Sequence, residues 1–237
     1  VMILQLESEG KLSIDDSVTK YIDLKQHNAA GITIKHLLNH SSGLYNYTAS
    51  KKLKWEDTPN QCLENSLKRK LNFTPGSKYD YCNTGYVILG LIIEKITAQS
   101  YQQNITERIF KPCGLESMIY CSDDKIPFNT ARGYKIKHNK YTDFTEIDHS
   151  WANSAGAVLG NLTDLNKFVD CLFKGNLIDS SQLKKMISPT IIYRNLYADG
   201  MEWYYHGVGL CWDLNLDKTE KPIYVFHVSG YGVSAKV

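Results

Sequence analysis

Nowhere in the sequence do two cysteines stand as Cys-x-x-Cys. The six cysteines, at 62, 82, 113, 121, 171 and 211, lack metal-ligand spacing and the density of a disulfide scaffold, so six reduced thiols are the expectation. The longest apolar run covers residues 86–93, far short of the about 20 residues a membrane-spanning helix requires. Neither sign of charge is in excess: the formal net charge is +2, which gives no electrostatic case for nucleic acid or an anionic membrane as partner. Gly-x-Ser-x-Gly is missing, and an α/β-hydrolase reading fails at that first requirement. Gly230-Tyr231-Gly232 has no strand-to-helix context and is too short a signal for a nucleotide site. His36 and His40 are four apart, but Leu37 stands where a zinc protease needs Glu and no third ligand follows. Packing roles are expected for both histidines, with no metal. No signal or transit peptide is visible.

What is present is an ordinary globular composition, 43% hydrophobic over 237 residues, enough for one large domain or two small ones. Helical signals fill residues 1–190. Thr33 can cap a short helix through Leu38, Thr58-Pro59 starts another, and Asn83 or Thr84 can cap an apolar helix to about Ile96. Ser100 with Gln103 forms a capping box, Thr163 can cap a helix closed by Gly175, and Ser180 to Ile187 forms a last one. Residues 202–213 and 223–229 are aromatic and β-branched, as strands are. Helices first and strands last indicate an α+β fold in one incomplete domain over 1–237: helical to 190, strands from 191. The opening VMILQLESEG reads as the last turns of a helix stopped by Gly10, and the closing SAKV stops inside a strand-like pattern. A piece clipped at both ends is the expectation.

Ser-x-x-Lys puts a hydroxyl and an amine on adjacent turns of one helix face, where the amine can help to deprotonate the serine. It occurs at Ser17/Lys20, Ser122/Lys125 and Ser181/Lys184, each in a solvated context without the apolar helix of a dry cleft. Tyr81-Cys82-Asn83 is more specific by its setting, at the mouth of the apolar run. A phenolate stabilised beside a lysine can relay a proton, and a carboxamide can grip a substrate amide through both donor and acceptor. The competing reading is a turn with Asn83 as cap and Tyr81 on the edge of the core.

Several segments together resemble the serine β-lactamase and penicillin-binding family, in its class C β-lactamase, D-alanyl-D-alanine carboxypeptidase and esterase branch. They are MILQLESEGKLSIDDSVTKYI, GITIKHLLNHSSGLYNY, FTPGSKYDYCNTGYVILGLIIEKITAQSY, ARGY, SAGAVLGNLTDLNKF and GVGLCWDL. The resemblance implies a β-lactamase/transpeptidase-like fold and a nucleophilic Ser-x-x-Lys just upstream of Val1. In that register Ser17 and Lys20 fall on a surface element. It implies that Tyr81 is the catalytic tyrosine and Asn83 the amide-binding asparagine, with Cys82 replacing the usual serine between them. The third motif, a strand of the form Lys/His-Thr/Ser-Gly, corresponds to His227-Val228-Ser229-Gly230. One register puts His227 in the basic place, with Ser229 at the glycine and Gly230 as oxyanion donor; the other matches Val228-Ser229-Gly230 and loses the basic group. The first fits its flanks better. The implied activity is serine acyl hydrolysis of an amide, β-lactam or ester, with no cofactor, on a small molecule or a peptidoglycan peptide, in a periplasmic or secreted setting. The alternative is a non-catalytic relative that binds such ligands.

Overall fold

The computed structural model describes residues 1–24, 29–50, 58–121, 130–143, 150–193, 205–216 and 222–226. The first helix, α1 (Met2–Ser8), turns Met2, Ile3, Leu4 and Leu6 inward. Three helix starts then follow local cap chemistry. In α2 (Ile34–Leu38) the Thr33 hydroxyl accepts the His36 N–H, and the His36 ring accepts the Thr33 N–H in return. The same reciprocal box opens α3 (Pro59–Leu67) through Thr58 and Gln61. It recurs at α5 (Tyr101–Ile105) through Ser100 and Gln103, where the chain runs on as a π-turn, Thr106–Phe110. The apolar helix between them is α4 (Asn83–Thr97), with Val87, Ile88, Leu89, Ile92 and Ile93 buried.

Two caps differ from expectation. Cys82, not Asn83 or Thr84, precedes α4, and the Asn83 N–H is taken by the Asn46 carboxamide from another loop. Asn161, not Thr163, caps α6 (Leu162–Phe173), accepting the Asp164 N–H. Asp164 is the reason: its carboxylate accepts the Ser117 N–H at 2.6 Å and pairs with Lys167, and these contacts hold its pKa down to about 2. That anchorage fixes the first turn two residues earlier than the sequence suggests. The last helix, α7 (Ser180–Ile187), starts from Asp179.

The strands are antiparallel throughout. β1 (Ile119–Tyr120) pairs with β4 (Val158–Leu159), and β2 (Tyr134–Lys137) forms a hairpin with β3 (Lys140–Asp143). A four-stranded sheet follows in chain order: β5 (Ile191–Tyr193), β6 (Tyr205–Val208), β7 (Asp213–Leu216) and β8 (Pro222–Phe226). The 202–213 stretch is therefore not one strand. It breaks at Gly209–Trp212, where the Leu210 N–H donates to Met186 and the Cys211 N–H to Leu38, with Cys211 at φ 77°. Two long-range bonds from helical segments override a continuous β pattern.

One apolar cluster joins α1 (Leu4, Leu6), α2 (Ile34, Leu37), α4 (Ile88, Ile92), α6 (Leu172), the β6–β7 connection (Leu210) and β7 (Leu214). Each such side chain contributes about 1.5–3 kcal/mol on burial. The expectation of six thiols is corrected: Cys113 and Cys171 form a disulfide, their Cα atoms 5.8 Å apart, while Cys62, Cys82, Cys121 and Cys211 are thiols. The link joins the turn after the π segment to α6. At Gly43 the chain takes φ 74°, and a Cβ there would come 2.2 Å from the Phe73 carbonyl oxygen. Among the described residues no helix is long and apolar enough to cross a membrane.

Candidate active site

The site is built outward from Thr84. Its side chain is fully buried; the hydroxyl donates to the Tyr45 carbonyl at 2.7 Å, accepts the Tyr47 N–H at 3.0 Å, and lies 3.1 Å from the Ser66 hydroxyl. This junction ties the first turn of α4 to α3 and to the loop after α2. It holds the preceding residues at the surface, and Tyr81 is left 38% exposed.

Tyr81 stands at a cavity of about 180 Å³. Its other walls are His40, Tyr86, Tyr101, Cys211 and residues 153–158. Tyr86 lines the cavity with its hydroxyl donating to the Leu38 carbonyl at 2.8 Å, and burial pushes its phenol well above the ordinary tyrosine range. It is therefore a fixed neutral donor, whereas Tyr81 is open to the cavity.

The far wall is carried by the 3-10 segment Ser150–Ala155. Ser154 donates to the Tyr86 carbonyl at 2.8 Å, and the approach is possible because residue 90 has no side chain. A Cβ on Gly90 would come 2.1 Å from Ser154 Oγ and 2.6 Å from its Cβ. Next to it Asn153 adopts φ 43°, ψ −137°, a conformation outside the left-handed helical basin that costs on the order of 1–3 kcal/mol. Gly90→Ala is expected to lower stability by about 1–3 kcal/mol through overpacking. Thermal unfolding followed by tyrosine and tryptophan near-ultraviolet circular dichroism checks it; an unchanged melting temperature would show that the wall moves freely.

The sequence-derived residues are distributed unevenly. Tyr81 lines the cavity. Asn83 does not: it is half-buried in the first turn of α4, its amide donating to Thr48 Oγ1 at 3.2 Å. His227, Ser229 and Gly230 lie outside the described residues. Strand β8 is described to Phe226, which pairs with Asp213, two residues beyond Cys211 of the cavity wall. Among the Ser-x-x-Lys pairs, Ser17 donates to the Ala30 carbonyl at 3.1 Å and Lys20 pairs with Asp16 at the surface. Ser181 is exposed and donates to Asp179. Ser122 and Lys125 lie outside the described residues. His36 and His40 face different spaces, because α2 ends at Leu38 and the chain turns at His40 with φ 56°. His36 lines a second cavity of about 260 Å³ with Lys35, Asn39 and Thr190, while His40 lines the first.

Two cavity residues escaped sequence reading. Cys211 belongs to an aromatic run that looked like an uninterrupted strand. His40 was assigned to packing by its pairing with His36, although it stands in the segment LLNHSSGL that carries part of the family resemblance.

A helical core, an antiparallel sheet along its side and a tyrosine-lined cavity at the head of a buried helix are the features of a β-lactamase/transpeptidase-like fold. The chain belongs to the Beta-lactamase family, whose model matches residues 1–235. Among its relatives is the penicillin-binding protein PbpX of Bacillus subtilis, 31% identical over 188 residues, 79% of this chain and 46% of that protein. Another is the teichoic acid D-alanine hydrolase of Staphylococcus aureus, 28% identical over 204 residues, 86% of this chain and 48% of that protein. The chain thus spans about half the length of the curated relatives it matches. Among solved structures, a D-stereospecific amidohydrolase from Streptomyces sp. superposes with a TM-score of 0.84 at 26% identity, over 99% of this chain and 73% of that one. A penicillin-binding protein from Bacillus halodurans has the same fold, with a TM-score of 0.76 at 22% identity over 97% and 74%.

Proposed function

We propose that the full-length protein is a serine acyl hydrolase that works through an acyl-enzyme. In this reading the nucleophilic serine and its lysine belong to the helical turns before Val1, and Tyr81 relays the serine's proton. Asn83 orients the substrate amide. His227 supplies the basic group of the third motif, with Ser229 beside it and the Gly230 N–H as oxyanion donor. The scissile group is an amide, β-lactam or ester, and the favoured substrates carry a D-amino-acyl group.

The observation that carries the reading is the place of Tyr81, partly exposed in a cavity at the head of the buried helix α4. Val1 and Cys211 both pack against the apolar core cluster, and Cys211 lines the cavity together with Tyr81. Family membership supports acyl transfer in general. The names of the Staphylococcus and Streptomyces relatives, a D-alanine hydrolase and a D-stereospecific amidohydrolase, support the D-amino-acyl class. The shared apolar core of helices and sheet supports one domain over 1–237. The Cys113–Cys171 bond supports an exported protein, periplasmic or secreted, since such bonds persist outside reducing compartments.

The test uses the full-length protein with a fluorescent penicillin and with matched D-alanyl and L-alanyl p-nitrophenyl esters and anilides. Intact mass is expected to show a covalent adduct on one serine, and hydrolysis is expected to favour the D series. Neither adduct nor turnover with any of them would overturn the reading in favour of a non-catalytic binder.

A further inference from the structure

The role proposed for Tyr81 leaves open what holds it at the cavity. The cause lies in His40. Asn39 ends α2, and the chain then reverses at His40 with φ 56°, a left-handed conformation in which His, Asn and Asp are enriched. The reversal aims two acceptors of one residue at the next segment. The His40 carbonyl accepts the Asp80 N–H at 2.9 Å, and the His40 Nδ1 accepts the Cys82 N–H at 3.1 Å. The backbone N–H groups of the two residues flanking Tyr81 are thus held by a single residue. The imidazole also lies between two rings, 4.4 Å from that of Tyr81 at 36° and 4.9 Å from that of Tyr86 at 27°, with Tyr79 edge-on at 5.9 Å. Only 4% of His40 is exposed.

We propose that His40 is the positioning residue for Tyr81, held as a neutral imidazole with its proton on Nε2, so that its backbone and ring together fix where the phenol meets the substrate. This rests on the reading of Tyr81 as the proton relay. The tautomer follows from the bond itself: an Nδ1 that accepts the Cys82 N–H cannot carry a proton. Protonating it would set two donors against each other and bury a charge. The titratable groups about the ring are Tyr79, Tyr81 and Tyr86, together with buried Cys82 and exposed Asp80, whose N–H groups His40 accepts, and Cys211, which lines the same cavity. Burial raises both Cys82 and Tyr86, keeping them uncharged, so neither stabilises an imidazolium.

The experiment uses the full-length protein and three readouts. In histidine 15N–1H spectra, the resonances assigned to His40 by their loss in His40→Asn are expected to report the neutral Nε2–H form across about pH 5–8. An Nδ1–H tautomer or an imidazolium in that range overturns the proposal without any variant having to be active. Second, His40→Ala is expected to lower kcat by about a hundredfold while KM changes little, since an ångström of misplacement costs that much. Third, His40→Asn restores an acceptor at the Nδ1 position and tolerates the left-handed turn, and is expected to recover most of the loss. Wild-type kcat in a folded His40→Ala, or no recovery in a folded His40→Asn, overturns the proposal. Tyr81→Phe separates this from the underlying reading: full activity in that variant defeats the proton-relay role, while the tautomer still reports on the grip of His40.

Discussion

Tyr81→Phe in the full-length protein is expected to slow acylation by about 10²- to 10⁴-fold, the range that one positioned acid–base group supplies. The loss should fall on kcat, with KM nearly constant, because only the hydroxyl is removed. The ring, its 4.4 Å packing on His40 and its place at the cavity remain. No other described tyrosine of the cavity can stand in. Tyr86 is committed to the Leu38 carbonyl and raised by burial, and the phenol of half-buried Tyr101 is likewise raised by desolvation. Single-turnover acylation with a chromogenic ester is the measurement, with Ser17→Ala as a control that should match wild type. A Tyr81→Phe variant acylating at the wild-type rate would remove the phenol from the chemistry.

The second large effect is expected from the Cys113–Cys171 bond. The two residues are 58 apart in sequence. Closing a loop of that length stabilises the folded chain by about 4 kcal/mol through the entropy it removes from the unfolded state. Replacing both cysteines by serine should therefore lower the melting temperature by roughly 8–16 °C for a chain of this size. The loop so closed carries β1, the segment Ser150–Ala155 and β4, and with them the far wall of the cavity. Loss of the bond should accordingly lower affinity for an active-site ligand as well as stability. Calorimetry with and without a reductant checks the first effect; equal melting temperatures would refute it.

The parts of the fold that the sequence made legible are those decided within a turn of chain. Thr33, Thr58 and Ser100 each sit three residues before the partner that completes their box, and all three helices start there. The apolar helix was legible because burial on nearly every side leaves no polar stripe. Tyr81 could be read because it is polar and stands before that helix. What escaped was decided over long separations. Asn161 caps α6 because Asp164 is engaged by Ser117, 47 residues away. The strand pattern of 202–213 gives way to bonds from Cys211 and Leu210 to Leu38 and Met186. No local spacing announces a disulfide across 58 residues. His40 escaped for a related reason. Its sequence neighbours gave it a helical partner in His36, whereas its structural partners, Asp80 and Cys82, arrive forty residues later.

The tight contact at Gly43 bears on how this scaffold can change. Residue 43 faces the Phe73 carbonyl so closely that every other amino acid is excluded unless two stretches of backbone first separate. Those stretches also hold the segment that presents Tyr81: Ser41 accepts the Gly76 N–H, and His40 accepts that of Asp80. Diversity introduced there is lost before it can be selected, and a laboratory lineage seeking new specificity must travel through the opposite wall instead.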